Sequence, residues 1–176
     1  MRIDGSDQRL IGNPDTLDWE PRVSPDGTEV VFTRWADNTG DELTIWVRNL
    51  ATGDERLVVD SENRPEHPDW SPDGRWIVYN TAASGGLLER IERVPSKGPM
   101  AKPTIVYGDA FHHGIKPAYS PDGRRIVFGG GYQGDSQDGF CRGLCVMDSD
   151  GSNVRVLYEE PDVEINHFAW GVVPEP

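Results

Sequence analysis

Long apolar runs are missing from this sequence. It contains no stretch of the roughly 18 apolar residues that a membrane-spanning helix needs. Residues 1–7 also lack the apolar core of a secretory signal peptide. We therefore expect no membrane insertion, and the sequence as given carries no recognisable export signal.

Basic residues are scarce. Lys and Arg number 17 against 30 Asp and Glu, which gives a formal net charge of −13. Nucleic acid and anionic membrane surfaces would repel this field, so we expect neither as a partner. The acidic excess is typical of a soluble surface, and an acidic site for cations is the alternative.

Cysteine is limited to Cys141 and Cys145. With no other soft ligands, the pair does not favour a zinc site. The sequence leaves two interpretations open, a short-loop disulfide in an oxidising compartment or two free thiols in a cytosolic protein. A Gly-x-Ser-x-Gly nucleophile motif is also missing. We therefore predict a protein without catalysis of its own.

Turn-forming residues are abundant, with 20 Gly and 14 Pro. Three copies of Ser-Pro-Asp-Gly begin at Ser24, Ser71 and Ser120, 47 and then 49 residues apart. Pro at the second position presets φ for a type I turn, Asp suits the third position, and Gly adopts the left-handed conformation that follows. Each copy therefore predicts a β-hairpin with a bulged glycine.

Segments of strand character flank each turn. A triplet of β-branched and aromatic residues follows each Gly, and a short Pro-containing segment precedes each Ser. A repeat of this length without helical periodicity indicates propeller blades of four strands each. The predicted strands are 17–23, 29–34, 43–50, 55–59, 66–70, 76–80, 88–94, 104–107, 116–119, 125–129, 144–148 and 154–158.

The two ends of the sequence repeat parts of the same pattern. Residues 3–11 match the last turn and strand of the third repeat, and residues 167–170 match residues 67–70. We predict an all-β fold, a partial or open β-propeller of four-stranded antiparallel blades, with three full blades at 13–60, 61–108 and 109–160. Residues 1–12 would be the last strand of a preceding blade, and residues 161–176 the first strand of a closing blade. Open edges of this kind predict self-association.

The unit from Trp70 to Tyr79, an aromatic residue followed by Ser-Pro-Asp-Gly, two residues and an apolar triplet, resembles the WD-repeat-like blades of TolB-type β-propellers. Third-strand units such as residues 144–151 resemble them too, and the resemblance covers essentially the whole chain. It implies a fragment of a larger, six-bladed ring that acts as a binding scaffold in the periplasm or outside the cell.

The resemblance also implies partners. The Tol-system protein with such blades binds peptidoglycan-associated lipoprotein, so we expect a protein or peptide partner, with a cell-envelope component as one candidate. Similar blades form the gating propellers of prolyl oligopeptidase-type peptidases. A gating role is therefore an alternative to the scaffold role.

One residue stands four positions before each turn Ser, and it occupies the same place in every repeat. These residues are Glu20, His67 and Lys116, with His167 equivalent near the C-terminus. First strands line the channel of a propeller, so we expect these positions to converge at one mouth of it. The predicted binding face contains Trp19, Glu20, His67, His112, His113, Lys116 and His167.

A divalent metal is the alternative occupant of this face. Imidazole and carboxylate groups suit zinc or another divalent ion, so the candidate ligands are His67, His113, His167 and Glu20. A metal there would favour a lyase or hydrolase. The simpler interpretation is that these histidines pack on neighbouring blades, and our prediction is a module without a cofactor.

Overall fold

A computed structural model describes residues 4–6, 8, 10–35, 42–60, 64–81, 89–108, 112–132, 143–158, 168 and 170, without the side chains at 112, 131 and 132. Within these ranges the chain forms strands and no helix, which confirms the predicted all-β class. The strands in chain order are β1 (Asp18–Val23), β2 (Glu29–Trp35), β3 (Leu43–Asn49), β4 (Glu55–Asp60), β5 (Pro65–Trp70), β6 (Trp76–Thr81), β7 (Arg90–Pro95), β8 (Thr104–Tyr107), β9 (His112–Tyr119), β10 (Arg125–Tyr132), β11 (Gly143–Asp148) and β12 (Arg155–Tyr158).

These strands form three antiparallel four-stranded sheets, β1–β4, β5–β8 and β9–β12, each ordered as in the chain. The first strands β1, β5 and β9 contact one another in series, so they lie on the inner side of the arc of blades. The predicted four-stranded blades are therefore confirmed. The strand β9 begins at His112 rather than at the predicted residue 116, because its first residues also pair with β10.

The three Ser-Pro-Asp-Gly turns share one hydrogen-bonded geometry. In the first, the Ser24 hydroxyl donates to Oδ1 of Asp26 at 2.6 Å, and the same oxygen accepts the N–H of Thr28 at 3.0 Å. Gly27 has φ of 72°, the left-handed value that the sequence predicted. The hydrogen bond from Ser24 is the main cause that lowers the pKa of Asp26 to about 2.

The hydrophobic core lies between the blades rather than within them. Successive residues of β6 point to opposite faces, so Tyr79 packs towards the first blade and Val78 towards the third. The core between the first two blades contains Val31, Ile45, Val47, Val58, Val59, Trp70, Ile77, Tyr79 and Val94. The core between the second and third contains Val78, Ile91, Tyr119, Ile126, Phe128, Cys145 and Met147. The middle blade therefore buries both of its faces against neighbouring blades.

Trp70, at the end of the first strand of the second blade, forms a hydrogen bond to the first blade. The indole Nε1 of Trp70 donates to the carbonyl of Arg22 at 3.0 Å. The indole of Trp170 donates in the same way to the carbonyl of Ala118 at 3.1 Å. Residue 170 thus contacts the third blade as residue 70 contacts the first. Of residues 161–176 only 168 and 170 are described, so the predicted closing strand stays a prediction.

The described residues of segment 1–12 differ from the prediction. They form turn and irregular structure, whereas we predicted a strand. Leu10 and Ile11 instead line a groove together with Val30 and Phe32. This groove lies on the face of the first blade that points away from the second blade, which we call the outer face. The domain boundaries stay predictions.

Arg34 forms a buried ion-pair network on the same outer face. Its guanidinium contacts Asp18 at 2.7 and 2.9 Å and Glu55 at 2.7 and 3.2 Å. It also lies over the ring of Phe32, 5.0 Å from the ring centre. The charged network therefore covers an apolar face that has no preceding sheet in the described structure.

Exposed apolar residues remain at both ends of the arc. Val23 stands where the other blades have Trp70 and Tyr119, yet it is 60% exposed and they are 5% and 7% exposed. At the other end, Val156 and Tyr158 on β12 are exposed as well. These are the edges that the sequence predicted to favour self-association.

We predict that Gly151→Ala destabilises the protein more than Gly98→Ala. Both glycines have positive φ, 93° and 98°, so a methyl group strains either backbone by about 1 kcal/mol. A Cβ at Gly151 would also collide with the carbonyl oxygen of Val106, whereas nothing lies within 4 Å at Gly98. The collision should cost about 1 kcal/mol or more in addition. Urea denaturation checks this, and equal losses for the two variants would refute it.

Candidate functional site

Glu20, His67 and Lys116 share an unusual backbone conformation. Their φ values are 53°, 54° and 53°, each residue precedes a Pro, and each lies at an irregularity in the pairing of its first strand. A left-handed conformation costs a residue with a side chain about 1–2 kcal/mol. A bulge of this kind redirects a side chain out of the regular alternation of the strand.

The three redirected residues line one pocket, which we call the channel pocket. Its volume is about 240 Å³. The described residues that line it are Glu20, Arg22, His67, Pro68, Lys116, Pro117, Ala118 and Phe168. Equivalent positions of three successive blades thus meet where the first strands face one another, as the repeat indicated.

Glu20 connects the first blade to the second. Its Oε1 lies 2.7 Å from Nε2 of His67, and its Oε2 accepts the backbone N–H of His67, also at 2.7 Å. Burial raises the pKa of Glu20, but the hydrogen bonds and charge of His67, with a contribution from Arg22, outweigh burial and leave that pKa lowered. Glu20 is therefore a carboxylate at neutral pH with both oxygens engaged.

Asn80 connects the second blade to the third. Its Oδ1 accepts the backbone N–H of Lys116 at 3.0 Å and lies 3.0 Å from Nδ1 of His67. Since Glu20 accepts at Nε2, both ring nitrogens of His67 face oxygen acceptors. The His67 ring is therefore held between the first blade and its own blade by two oxygen atoms.

The other predicted residues of the binding face do not line the channel pocket or lie outside the described part. Trp19 is 51% exposed and stacks on Trp35, with ring centres 6.0 Å apart and planes at 22°. His113 is buried on β9, and its Nε2 has no hydrogen-bond partner in the described structure. The side chain of His112 and the whole of His167 lie outside the described residues. The binding face as a whole stays a prediction.

The metal alternative also stays a prediction. In the described ranges no group of three His, Cys, Asp or Glu side chains has an arrangement that could hold a metal ion. A metal on His67 would have to displace Glu20 or Asn80 from one of its ring nitrogens. His167, one of the four candidate ligands, lies outside the described residues, so the complete ligand set is not tested.

The sequence analysis missed two residues that line the pocket, Arg22 and Phe168, and one that contacts the lining, Asn80. Asn80 could have been noticed, because it is a polar residue directly after an apolar triplet, where the other repeats have Thr33 and Gly129. Arg22 and Phe168 gave no signal of their own. They line the pocket because of how neighbouring blades pack.

Cys145 lies buried on β11 and is disulfide-bonded. Cys141, its predicted partner, lies outside the described residues, so the pairing stays a prediction. Among the described residues, none form a membrane-spanning helix.

We predict that Lys116→Gly is more stable than Lys116→Ala by about 1 kcal/mol. Both variants remove the ammonium group, but only Gly relieves the left-handed strain at φ of 53°. The backbone N–H that donates to Asn80 remains in both. Urea denaturation of the pair measures the difference. An Ala variant as stable as the Gly variant would show that this backbone is unstrained.

We predict that Glu20→Gln lowers stability at neutral pH and that the deficit disappears in acid. The lowered pKa of Glu20 means that its carboxylate stabilises the fold above the unfolded-state pKa, near the ordinary value of 4.5. This contribution is lost as pH falls through the lower folded-state pKa. Unfolding free energies across pH 7 to about 3 check this. Glu29→Gln, which removes a carboxylate paired with Arg56 outside the pocket, is the control. A deficit that persists at low pH would contradict the ion-pair explanation.

No family model matches the sequence. The chain is 34% identical over 140 residues to an uncharacterized protein of Agrobacterium fabrum, covering 77% of this chain and 44% of that protein. It is 26% identical over 174 residues to the Tol-Pal system protein TolB of Anaeromyxobacter dehalogenans, covering 94% and 36%. It is 31% identical over 112 residues to an uncharacterized peptidase of Bacillus subtilis, covering 61% and 16%. The chain thus spans less than half the length of these relatives.

Solved structures share the fold. A TolB candidate from Agrobacterium tumefaciens matches with a TM-score of 0.67 and 29% identity, over 85% of this chain and 52% of that one. TolB from Acinetobacter baumannii matches with a TM-score of 0.66 and 17% identity, over 87% and 35%. The propeller of a Pyrococcus furiosus protease, which has an open velcro topology, matches with a TM-score of 0.58 and 17% identity. The match covers 84% of this chain and 44% of that one. At the lower identities the likeness concerns the fold alone. Sequence and fold together relate this chain to the TolB-like β-propeller proteins.

Proposed function

We propose that this chain is a non-catalytic propeller scaffold whose channel pocket binds a protein or peptide partner. The observation that carries the proposal is the meeting of Glu20, His67 and Lys116 from three successive blades in one pocket. A rigid inner wall with a polar and apolar lining is suited to binding a projecting segment of another chain.

The chemistry of the channel pocket supports binding rather than catalysis. Among the described residues that line it there is no Ser, Thr, Cys or Tyr, and so no hydroxyl or thiol nucleophile. The carboxylate of Glu20 and the imidazole of His67 satisfy each other instead of facing a substrate. We propose no cofactor, and the divalent metal remains the alternative to be tested by metal analysis.

A cell-envelope component is the partner class that we propose, with a periplasmic or extracellular location. The likeness to proteins named for the Tol-Pal system supports both. The disulfide at Cys145 also supports an oxidising compartment. Self-association through the exposed edge residues, such as Val23 and Tyr158, is a further proposal for the chain in isolation.

A gating propeller of a peptidase is the second candidate. The 31% identity to an uncharacterized peptidase of Bacillus subtilis favours it, although the chain covers only 16% of that protein. In this role the catalytic residues would stand on another domain. The channel pocket would then contact a peptide substrate instead of an envelope partner.

We predict that the chain binds the soluble domain of the peptidoglycan-associated lipoprotein of its own organism, measured by isothermal titration calorimetry. Phe168→Ala removes an aromatic wall of the channel pocket and should weaken binding at least tenfold. Ile105→Ala, which truncates an exposed residue on the outer strand β8, is the control and should change the affinity less than twofold.

Two outcomes would contradict the proposal. Absence of binding, or equal weakening by both variants, would exclude this envelope partner at the channel pocket. The mass of the lipoprotein domain after prolonged incubation with the chain tests the other half of the proposal. Cleavage of the domain would show that the chain is an enzyme.

A further inference from the structure

We infer that the channel pocket recognises a carboxylate on the partner. In this inference Arg22 and Lys116 bind the carboxylate, and Phe168 with Pro68 and Pro117 contacts the side chain beside it. The inference rests on the proposed function and specifies the chemistry of its ligand. A terminal α-carboxylate and an Asp or Glu side chain are the two sources of this group.

The lining of the channel pocket contains more cations than carboxylates, whereas the whole chain is acidic. The chain has a formal charge of −13, yet the described lining has two permanent cations, Arg22 and Lys116, and the imidazole of His67 against one carboxylate. That carboxylate, on Glu20, has both oxygens engaged by His67. The nearby carboxylate of Asp69 accepts the backbone N–H of Tyr119 between two blades and does not line the pocket. The charge of Asp69 interacts with Arg22, and Glu66 lies 3.9 Å from Nδ1 of His67, although neither carboxylate lines the pocket. The lining itself therefore offers a ligand two cations in an acidic protein.

The two cations come from opposite sides of the central blade of the arc. Arg22 lies on β1 and Lys116 on β9, with His67 of β5 between them. The Arg22 side chain is exposed, and Nη1 donates one hydrogen bond to the carbonyl of Pro21 at 3.2 Å. A guanidinium has five N–H donors in a planar fork that matches a carboxylate. Arg22 can therefore keep this bond and still bind a ligand oxygen.

The size of the channel pocket limits the ligand to a small group. A volume of about 240 Å³ is below the roughly 300–1,000 Å³ that is usual for drug-sized ligands. The apolar wall of Pro68, Pro117 and Phe168 suits one apolar side chain next to the carboxylate. These features fit the end or a short projection of a peptide better than a folded surface.

Three acetylated tetrapeptides test the inference by calorimetry with the full chain. The first is Ac-Gly-Ser-Ala-Phe with a free terminal carboxylate, the second is its amide, and the third is the amide of Ac-Gly-Ser-Glu-Phe. We expect the first or the third to bind at least tenfold more tightly than the second. Binding by the first identifies the terminal carboxylate as the source, and binding by the third identifies the acidic side chain.

Single substitutions test whether the peptide binds at the channel pocket or is attracted by positive charge elsewhere on the surface. Arg22→Gln and Lys116→Gly should each weaken binding of the carboxylate peptide about tenfold or more, since each removes a charged hydrogen-bond donor. Lys102→Gln, an exposed lysine in the connection before β8, is the control and should leave binding within twofold. Thermal denaturation of each variant confirms that it is folded.

The outcomes distinguish the inference from the proposed function. If neither the first nor the third peptide binds more tightly than the second, or if Lys102→Gln weakens binding as much as the pocket variants do, the carboxylate inference is overturned. If no peptide binds while the lipoprotein domain binds in a way that depends on Phe168, the proposed function stands and the inference is wrong. If neither the domain nor any peptide binds, both are wrong.

Discussion

The burial of two apolar faces on every sheet is the constraint on which this structure depends. Val78 and Tyr79 are neighbours in sequence, yet they belong to different cores, one on each side of the middle blade. Full burial of side chains of this size contributes roughly 1.5–3 kcal/mol each. A single blade cannot bury both faces by itself, so each needs a second sheet or a covering segment. The ion-pair network of Arg34 covers the face of the first blade that has no neighbouring sheet in the described ranges. The repeat in the sequence therefore reflects a requirement of packing.

The same constraint builds the channel pocket. Each blade packs one face against the opposite face of the next blade, and it does so in the same way each time. Equivalent positions of the first strands therefore come together on the inner side of the arc. The left-handed residue before each Pro then directs its side chain towards the neighbouring blades. Glu20 and Asn80 accept backbone N–H groups from the next blade, so the polar lining also holds the blades in register. Structural and binding roles are combined in these residues, which is why their substitution needs stability controls.

Most of the fold could be predicted from local chemistry. Eleven of the twelve strands begin within two residues of the predicted positions, because β-branched triplets and Ser-Pro-Asp-Gly turns determine them locally. The meeting of Glu20, His67 and Lys116 followed from their equivalent positions in the repeat. Arg22 and Phe168 could not be predicted, since their places depend on the packing of other blades. The early start of β9 was missed because Lys116 and Pro117 indicate a break, whereas the strand continues through a bulge there. In segment 1–12 the described residues form turn and irregular structure, and the assignment of the whole segment to a preceding blade stays a prediction.

Each Ser-Pro-Asp-Gly turn makes its hydrogen bonds within its own hairpin, so it can form before the blades pack. In the second turn, Ser71 and Asp73 bond to each other, and Trp76 and Gly74 donate to Ser71, so these contacts need no residue from another blade. Such hairpins form on the microsecond timescale, before slower contacts between distant parts of the chain. Three independent nuclei are thus available along the chain, and docking can propagate from any of them. The time needed to fold then depends weakly on the number of repeats, which lets a chain of this kind lengthen without becoming slow to fold.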